Sequence, residues 1–169
     1  KMRKIVVFFI LIVIILAGCS SSKKMQKSNH ISLQRKWNFH RGDNLDWAKP
    51  ELDDADWKII NPSEVWERQG VDNYDGYAWY RLTFFLPEEL KQKSAISDSI
   101  LFFLGKVDDT DQTFLNGQLI GQNGKTVAYK NLDEIEDVEG DREAYSYERD
   151  YMLPIDDPRI LWDQENTIA

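Results

Sequence analysis

The feature that most constrains the fold of this chain is the strict alternation of side chains in residues 77–86. The even-numbered residues of this segment are all apolar or aromatic, whereas Trp79, Arg81 and Thr83 lie on the opposite face of an extended chain. Pro87 ends the segment, because proline lacks the amide hydrogen that a strand donates to its neighbour. The alternation has the period of a β-strand and predicts one here.

A second strong signal is the pair Asn116-Gly117, which lies between the apolar runs 111–115 and 118–121. A two-residue type I′ turn needs positive φ angles at both central positions, and asparagine and glycine adopt them most readily. The pair therefore predicts a β-hairpin with a strand on either side.

Other short segments, separated by polar loops, have the composition of strands or turns. We predict strands at residues 37–40, 57–60, 99–104 and 145–153, a helical turn within 156–164, an insertion loop at 125–141, and the opening of another strand at 165–169. The segment 99–104 is apolar on both faces, as in a strand buried within a sandwich. Many short strands with little amphipathic helix predict an all-β protein, a β-sandwich. Periodicity alone leaves jelly-roll and immunoglobulin topologies open, although no cysteine pair is present for the immunoglobulin disulfide.

The composition limits the size of the fold and the kind of partner. Removing residues 1–18 of the 169, with their three basic side chains, takes the net charge from −8 to −11. What remains is enough for one domain with a core, and its acidic character disfavours nucleic acid and anionic lipid headgroups as partners. The 6 Trp, 7 Tyr and 8 Phe suit strands and also offer flat surfaces on which sugar rings stack.

The N-terminal residues have the pattern of an export signal. A basic start at residues 1–4 precedes an apolar segment, residues 5–16, that is too short to span a bilayer comfortably. The phrase Leu-Ala-Gly-Cys that ends at Cys19 resembles the lipobox of bacterial lipoproteins. In that family the cysteine is acylated and becomes the first residue of the mature chain. Cys19 is the only cysteine and has no disulfide partner within the chain, so lipidation is the use that the resemblance implies.

These observations divide the chain into three parts. Residues 1–18 are predicted to be a lipoprotein signal peptide, residues 19–32 the lipidated cysteine and a flexible tether, and residues 33–169 the folded domain. The sequence stops soon after a strand opens at residue 165, which predicts a domain truncated at its C-terminal end and part of a longer reading frame. The organisation predicts an exported protein, anchored by lipid to a membrane of the bacterial cell envelope.

Six phrases of the domain, taken in order and spacing, resemble a known family. They are WNFHRGD from residue 37, DDADW from 53, WERQG from 66, YDGYAWYR from 74, LGKVDDTD from 104 and FLNG from 114. Together they are similar to the galactose-binding-like jelly-roll, or sugar-binding, domain of glycoside hydrolase family two. The copy in bacterial sialate O-acetylesterases resembles them most. The likeness covers residues 33–169 and implies a β-sandwich of the jelly-roll type.

The resemblance implies an ancillary domain without catalytic residues. In family-two glycosidases such as β-galactosidase, the acid and nucleophile carboxylates belong to a separate barrel domain, for which this chain has no room. A sialate O-acetylesterase needs a Gly-Asp-Ser phrase, whereas here Gly42-Asp43 is followed by Asn44. We therefore expect no catalytic residue, no metal and no cofactor in this chain.

Three residues are candidates for binding a sugar. Trp79 and Arg81 share the outer face of the predicted strand 77–86, near the loop that carries Tyr74. An indole can stack on a sugar ring while a guanidinium donates hydrogen bonds to its hydroxyl groups. The alternative, that Trp79 packs against the other sheet or a neighbouring domain, is equally open.

Asp108, Asp109 and Asp111 form the densest group of acidic residues at a strand junction. Three carboxylates could bind Ca²⁺, but the segment lacks the glycine and terminal glutamate of an EF-hand loop, so we favour a solvated strand entry. Asp109 and Asp111 lie on the same face of an extended chain and are two further candidates for contacting a sugar. A catalytic pair of carboxylates is the least favoured interpretation.

Three hypotheses about function remain open at this point. The first is a lipid-anchored, non-catalytic carbohydrate-binding or scaffolding jelly roll of a glycan-degrading system. The second is the N-terminal part of a larger hydrolase, either a family-two glycosidase or a sialate O-acetylesterase. The third is a structural module that packs on further domains of the same polypeptide and binds no sugar. The coding sequence beyond Ala169 would separate the first two.

Overall fold

The computed structural model describes residues 29–93, 98–108, 110–124 and 146–169. Within these residues the chain forms eight β-strands: β1 (Trp37–Arg41), β2 (Lys58–Ile60), β3 (Ala78–Leu86), β4 (Ser99–Lys106), β5 (Asp111–Leu115), β6 (Gln118–Asn123), β7 (Glu148–Pro154) and β8 (Gln164–Ile168). Short 3₁₀ helices lie at Leu45–Ala48, Trp66–Gln69 and Glu88–Lys93.

The strands form two sheets in which every recorded pair is antiparallel. The larger sheet has six strands in the order β2-β1-β3-β8-β5-β6, and the smaller sheet pairs β4 with β7. The two sheets share one apolar core, so the predicted β-sandwich is confirmed. Strands predicted from alternation and composition are present at β1, β2, β3, β4 and β7, with ends that differ by a few residues.

The main core lies between the two sheets. Leu82, Phe84 and Leu86 of β3 belong to one buried cluster with Phe102 of β4 and Leu153 of β7. The β3 members are the even-numbered residues of the alternating segment, so the sequence pattern identified the inner face of this strand correctly. Burial of large apolar side chains of this kind stabilises the fold by about 1.5–3 kcal/mol each.

The hairpin and the last strand are also confirmed. Asn116 has a φ angle of 51° and Gly117 one of 80°, both positive as a type I′ turn requires. The strand predicted from its opening residues is β8, which lies in the middle of the larger sheet and pairs with β3 and β5. Ile168 of this strand is fully buried.

Three segments of the chain differ from their predicted structure. The segment 99–104 is not buried on both faces, since Leu101 is 39% exposed and Phe103 is 55% exposed on the outer side of the smaller sheet. The strand predicted at 145–153 begins later, at Glu148, so that Tyr147 precedes it and is exposed. Residues 156–164 contain turns and no helix. Tyr145 and the insertion loop predicted at 125–141 lie outside the described residues.

A second apolar layer covers part of the outer face of the larger sheet. Residues 42–57 fold across β3 and bring the 3₁₀ helix Leu45–Ala48 onto it. Ala48, Trp79 and Phe114 are buried beneath this covering loop, which also contributes the half-buried rings of Trp47 and Trp57. The candidate functional residues are distributed around this loop and the inner core.

Candidate functional site

Trp79 and Arg81 lie beneath the covering loop and are not an exposed platform. Trp79 is 8% exposed, stacks on Phe114 with ring centroids 5.4 Å apart, and donates its indole N–H to Asp43 Oδ1 at 2.9 Å. Arg81 is 2% exposed, and its Nε lies 2.8 Å from Asp54 Oδ2. The two residues therefore do not form the exposed surface that was expected from the sequence. Both side chains are occupied in holding the covering loop on the sheet.

Tyr74 packs in a different cluster from Trp79, the residue that it was expected to join. It packs with Phe39 and Val71 in a separate cluster. Its hydroxyl donates to the Tyr77 carbonyl and accepts from the Gly42 amide at 3.0 Å. The tyrosine thus ties the start of the covering loop to the residues just before β3, and its polar group is satisfied by the backbone.

Asp111 is part of a polar network between the two sheets. Its Oδ1 accepts from Arg149 Nε at 2.5 Å, and its Oδ2 accepts from the Tyr151 hydroxyl at 2.7 Å and from the Thr113 hydroxyl at 3.2 Å. The Arg149 side chain is fully buried and that of Asp111 is 11% exposed. A buried guanidinium needs such a partner, since an unpaired buried charge is strongly destabilising. The geometry gives Asp111 a structural role.

The same network determines the protonation of Tyr151. Burial raises the pKa of its hydroxyl well above the ordinary value, and the hydrogen bond to the Asp111 carboxylate raises it further. Tyr151 therefore remains a neutral donor to Asp111 across the physiological range. It is not poised to act as a general base.

The other acidic candidates do not form a metal site in the described part of the chain. Asp108 is exposed, and Asp109 lies outside the described residues. Among the residues that the structure describes, no group of three or more His, Cys, Asp or Glu side chains could hold a metal ion. The Ca²⁺ interpretation of the acidic segment therefore gains no support from its described members.

Sequence reasoning missed an aromatic cluster at the edge of the covering loop. His40 is exposed on β1, with its ring centroid 4.6 Å from that of Trp47 and 5.1 Å from that of Trp57. The two indoles meet edge to face at 5.4 Å. His40 pairs in register with Trp79 and so lies on the same outer face. Strand parity in the sequence could have placed His40 there, but only the folding of the loop brings the tryptophans to it.

A small apolar patch lies on the outer face of the smaller sheet. Leu101 and Met152 face each other in register, and Phe103 follows on the same face of β4. Their exposed fractions are 39%, 55% and 55% respectively. Contiguous exposed apolar side chains commonly mark a surface that contacts another protein or domain.

The first comparison with known proteins concerns the N-terminal residues. Residues 2–20 match the family model of the prokaryotic membrane lipoprotein lipid attachment site, which supports a membrane-anchored bacterial lipoprotein. Within the described residues, none of the helices has the length and apolar character to cross a membrane. Cys19 itself lies outside the described residues.

The folded part resembles solved structures of β-glucuronidases. A calcium-binding mutant of Bacteroides uniformis β-glucuronidase 2 aligns with a TM-score of 0.56 and 21% identity, over 82% of this chain and 14% of that one. A β-glucuronidase from glycoside hydrolase family 2 aligns with a TM-score of 0.52 and 18% identity, over 79% of this chain and 12% of that one. The fold is that of the family-2 β-sandwich.

A curated relative is also described as a β-glucuronidase. A protein described as a putative beta-glucuronidase of Formosa agariphila is 25% identical in an alignment of 103 positions, which covers 54% of this chain and 10% of the relative. The chain thus spans between about a tenth and a seventh of the length of these proteins. At these identities the likeness concerns the fold.

Proposed function

We propose that this chain is the lipid-anchored β-sandwich portion of a family-2 glycoside hydrolase. The enzyme would act on a β-glucuronide or a related β-glycoside through carboxylates located elsewhere in the polypeptide. The observation that carries the proposal is the structural likeness, which covers 82% of this chain and only 14% of a β-glucuronidase. The lipobox match supports attachment of that enzyme to a membrane through Cys19.

The ion pairs formed by three aspartates support a non-catalytic role for this portion of the enzyme. Asp54, Asp111 and Asp157 each form an ion pair with an arginine, at 2.8, 2.5 and 2.7 Å respectively. Glycoside hydrolysis needs an acid and a second carboxylate that face each other across a cleft, usually with one pKa raised. An arginine partner instead lowers the pKa of a carboxyl group. The hydrogen bond from Arg159 lowers the pKa of Asp157 in this way.

The exposed patch of Leu101, Phe103 and Met152 fits the same proposal. A sandwich that forms part of a larger enzyme must present a surface to its neighbouring domain, and apolar side chains on an outer sheet face are suited to this. The scaffolding function considered from the sequence is then the role of this portion within the enzyme.

The test is to express this chain alone and also the full reading frame that contains it. We expect the chain from Ser20 to Ala169 to be inert toward nitrophenyl β-glucuronide, nitrophenyl β-galactoside and nitrophenyl acetate. We expect the longer polypeptide to hydrolyse one of the glycosides. Turnover by the chain alone that disappears in Asp109→Asn would contradict the proposal.

The alternative of a sialate O-acetylesterase, which the sequence phrases resemble, predicts a different outcome. The reading frame would then encode a Gly-Asp-Ser phrase, and the long polypeptide would hydrolyse nitrophenyl acetate and neither glycoside. A reading frame that ends without either a barrel or this phrase would favour an independent binding module.

A further inference from the structure

The six tryptophans differ in whether their indole N–H groups have a hydrogen-bond partner in the protein. Four of the six indole N–H groups donate to protein acceptors, those of Trp37, Trp66, Trp79 and Trp162. Trp47 and Trp57 make no such hydrogen bond within the described residues. No buried side-chain nitrogen or oxygen there is without a partner, so these two N–H groups reach solvent. They are also the two tryptophans that contact each other and His40.

His40 adds an acceptor to these two donors. Its Nδ1 lies 2.7 Å from the Arg41 carbonyl oxygen, which can only accept, so Nδ1 carries the proton of the neutral ring. Nε2 is then left as a lone-pair acceptor on an exposed side chain. The cluster therefore combines two half-buried indole rings, two N–H donors that reach solvent and one nitrogen acceptor on an exposed imidazole.

This combination matches the chemistry of a pyranose. A sugar ring presents apolar C–H groups on one face, which stack on aromatic rings, and hydroxyl groups at its rim that both donate and accept hydrogen bonds. Tryptophan offers the largest stacking surface, and its N–H usually finds a partner when a ligand covers the ring.

The charge of the loop selects among sugars. Residues 43–56 contain six acidic side chains and a single lysine. The guanidinium of Arg81, 5.9 Å from the Trp57 ring centroid, is already paired with Asp54. An anionic sugar such as a glucuronide would be repelled at this surface, whereas carboxylates accept hydrogen bonds readily from neutral hydroxyl groups.

We propose that His40, Trp47 and Trp57 form a non-catalytic binding site for a neutral pyranose on the outer face of the larger sheet. This goes beyond the proposed function and does not depend on it, because it rests on the contacts of these three side chains and on no catalytic group. It also places carbohydrate binding at residues different from Tyr74, Trp79 and Arg81.

The test uses the lipidated full chain in detergent, with fluorotryptophan at all six positions, observed by fluorine NMR. Single Trp→Phe variants assign the resonances. We expect methyl β-galactopyranoside to shift the signals of Trp47 and Trp57 with a midpoint in the millimolar range, and to leave the signal of Trp162 in place. Methyl β-glucuronide should shift them at least about tenfold less effectively.

Variants separate binding from folding. Trp57→Phe should weaken galactoside binding about tenfold, and His40→Ala, at an exposed position, should weaken it without altering the dispersion of the other signals. Trp162→Phe is the matched control and should bind normally. The proposal is overturned if both sugars shift all signals equally, or if neither shifts any signal at about 100 mM. It is also overturned if His40→Ala binds normally, or if a longer polypeptide shields Trp57 from solvent.

Discussion

At the scale of single residues, the side chain of Asn116 connects three parts of the chain. Its Nδ2 donates to Asn166 Oδ1 and to the Arg159 carbonyl, both at 2.8 Å, and its Oδ1 accepts from the Thr167 amide at 2.8 Å. The residue therefore begins the hairpin turn and also holds it against β8. Asn116 thus contributes both the positive φ angle of the turn and the side-chain hydrogen bonds that fix the turn to β8.

Replacing Gly117 with Val tests the turn. We expect the free energy of unfolding to fall by roughly 1 kcal/mol or more, because a β-branched residue is poorly tolerated at positive φ. A Cβ at this position would lie 3.6 Å from its nearest neighbours, an ordinary contact, so the cost comes from the backbone. Urea unfolding measures it, and Gln118→Val, at an exposed strand position, is the control. An unchanged midpoint for Gly117→Val would contradict the type I′ assignment.

Replacing Asp54 with Ala tests the buried ion pair beneath the covering loop. The variant leaves the nearly buried Arg81 guanidinium without its carboxylate, and we expect a loss of about 2–3 kcal/mol in the free energy of unfolding. The 22% exposure of the Asp54 side chain allows water to replace part of the interaction. The exposed Asp56→Ala is the matched control and should change stability little. Equal losses in the two variants would exclude a specific role for the pair.

At the scale of elements, β6 and β7 belong to different sheets and meet closely at one glycine. A Cβ built at Gly121 would lie 2.0 Å from Cδ1 of Tyr151, so the ring occupies the space that any side chain would need. Tyr151 is held there by its hydrogen bond to Asp111 on β5. The glycine therefore permits the inter-sheet network to form.

We expect Gly121→Ala to destabilise the protein by about 1–3 kcal/mol, since the tyrosine ring must move. The same substitution in a Tyr151→Leu background should cost less, because a flexible aliphatic side chain can adjust. A double-mutant cycle on the free energy of unfolding measures this coupling. Additive effects would show that the glycine and the tyrosine are independent.

The inter-sheet network also predicts how stability depends on pH. In the unfolded chain Tyr151 ionises near the ordinary pKa of 10.0, whereas in the folded state its pKa is raised by burial and by Asp111. The pKa of Tyr80 is also raised in the folded state, because burial raises it more than the hydrogen bond from Trp66 lowers it. A raised folded pKa means that this stabilisation is complete below the unfolded pKa and is lost as pH rises toward the folded one.

We therefore expect the free energy of unfolding to decrease above about pH 10, where the unfolded state loses protons that the folded state retains. Tyr151→Phe should make this decrease less steep. Urea unfolding at a series of alkaline pH values provides the measurement. Parallel pH profiles for the variant and the parent protein would be inconsistent with a raised pKa at Tyr151.

At the scale of the whole molecule, the comparisons with known proteins concern two different parts of the chain. The match at residues 2–20 concerns attachment, whereas the likeness to β-glucuronidases concerns the fold. Several acyl chains bury enough methylene groups for stable anchoring, whereas one chain binds a membrane only marginally. A tethered sandwich would keep any catalytic partner at the membrane surface.

The anchor is tested in a bacterial host with the signal intact. We expect the protein to incorporate labelled palmitate and to sediment with membranes, and Cys19→Ala to lose both properties because Cys19 is the only cysteine. Ser20→Ala, the neighbouring substitution that keeps the cysteine, should be labelled normally. Equal labelling of the Cys19→Ala protein would refute lipidation at this residue.

The sequence by itself determined the features that depend on local backbone geometry. The alternation of residues 77–86 identified β3 and its inner face, because strand side chains alternate with a fixed period. Asn116 and Gly117 identified the hairpin, because few other residues accept positive φ. Many short strands with little helix were enough to indicate a sandwich.

Only the tertiary structure decided which faces are covered. Alternation placed Trp79 and Arg81 on the outer face of β3, but the covering loop 42–57 buries them there. The partner of Asp111 is Arg149, 38 residues away in the sequence and on the other sheet. Phe103 is exposed because no described element packs on the outside of the smaller sheet. Periodicity fixes the direction of a side chain, whereas its burial depends on which distant segment packs against it.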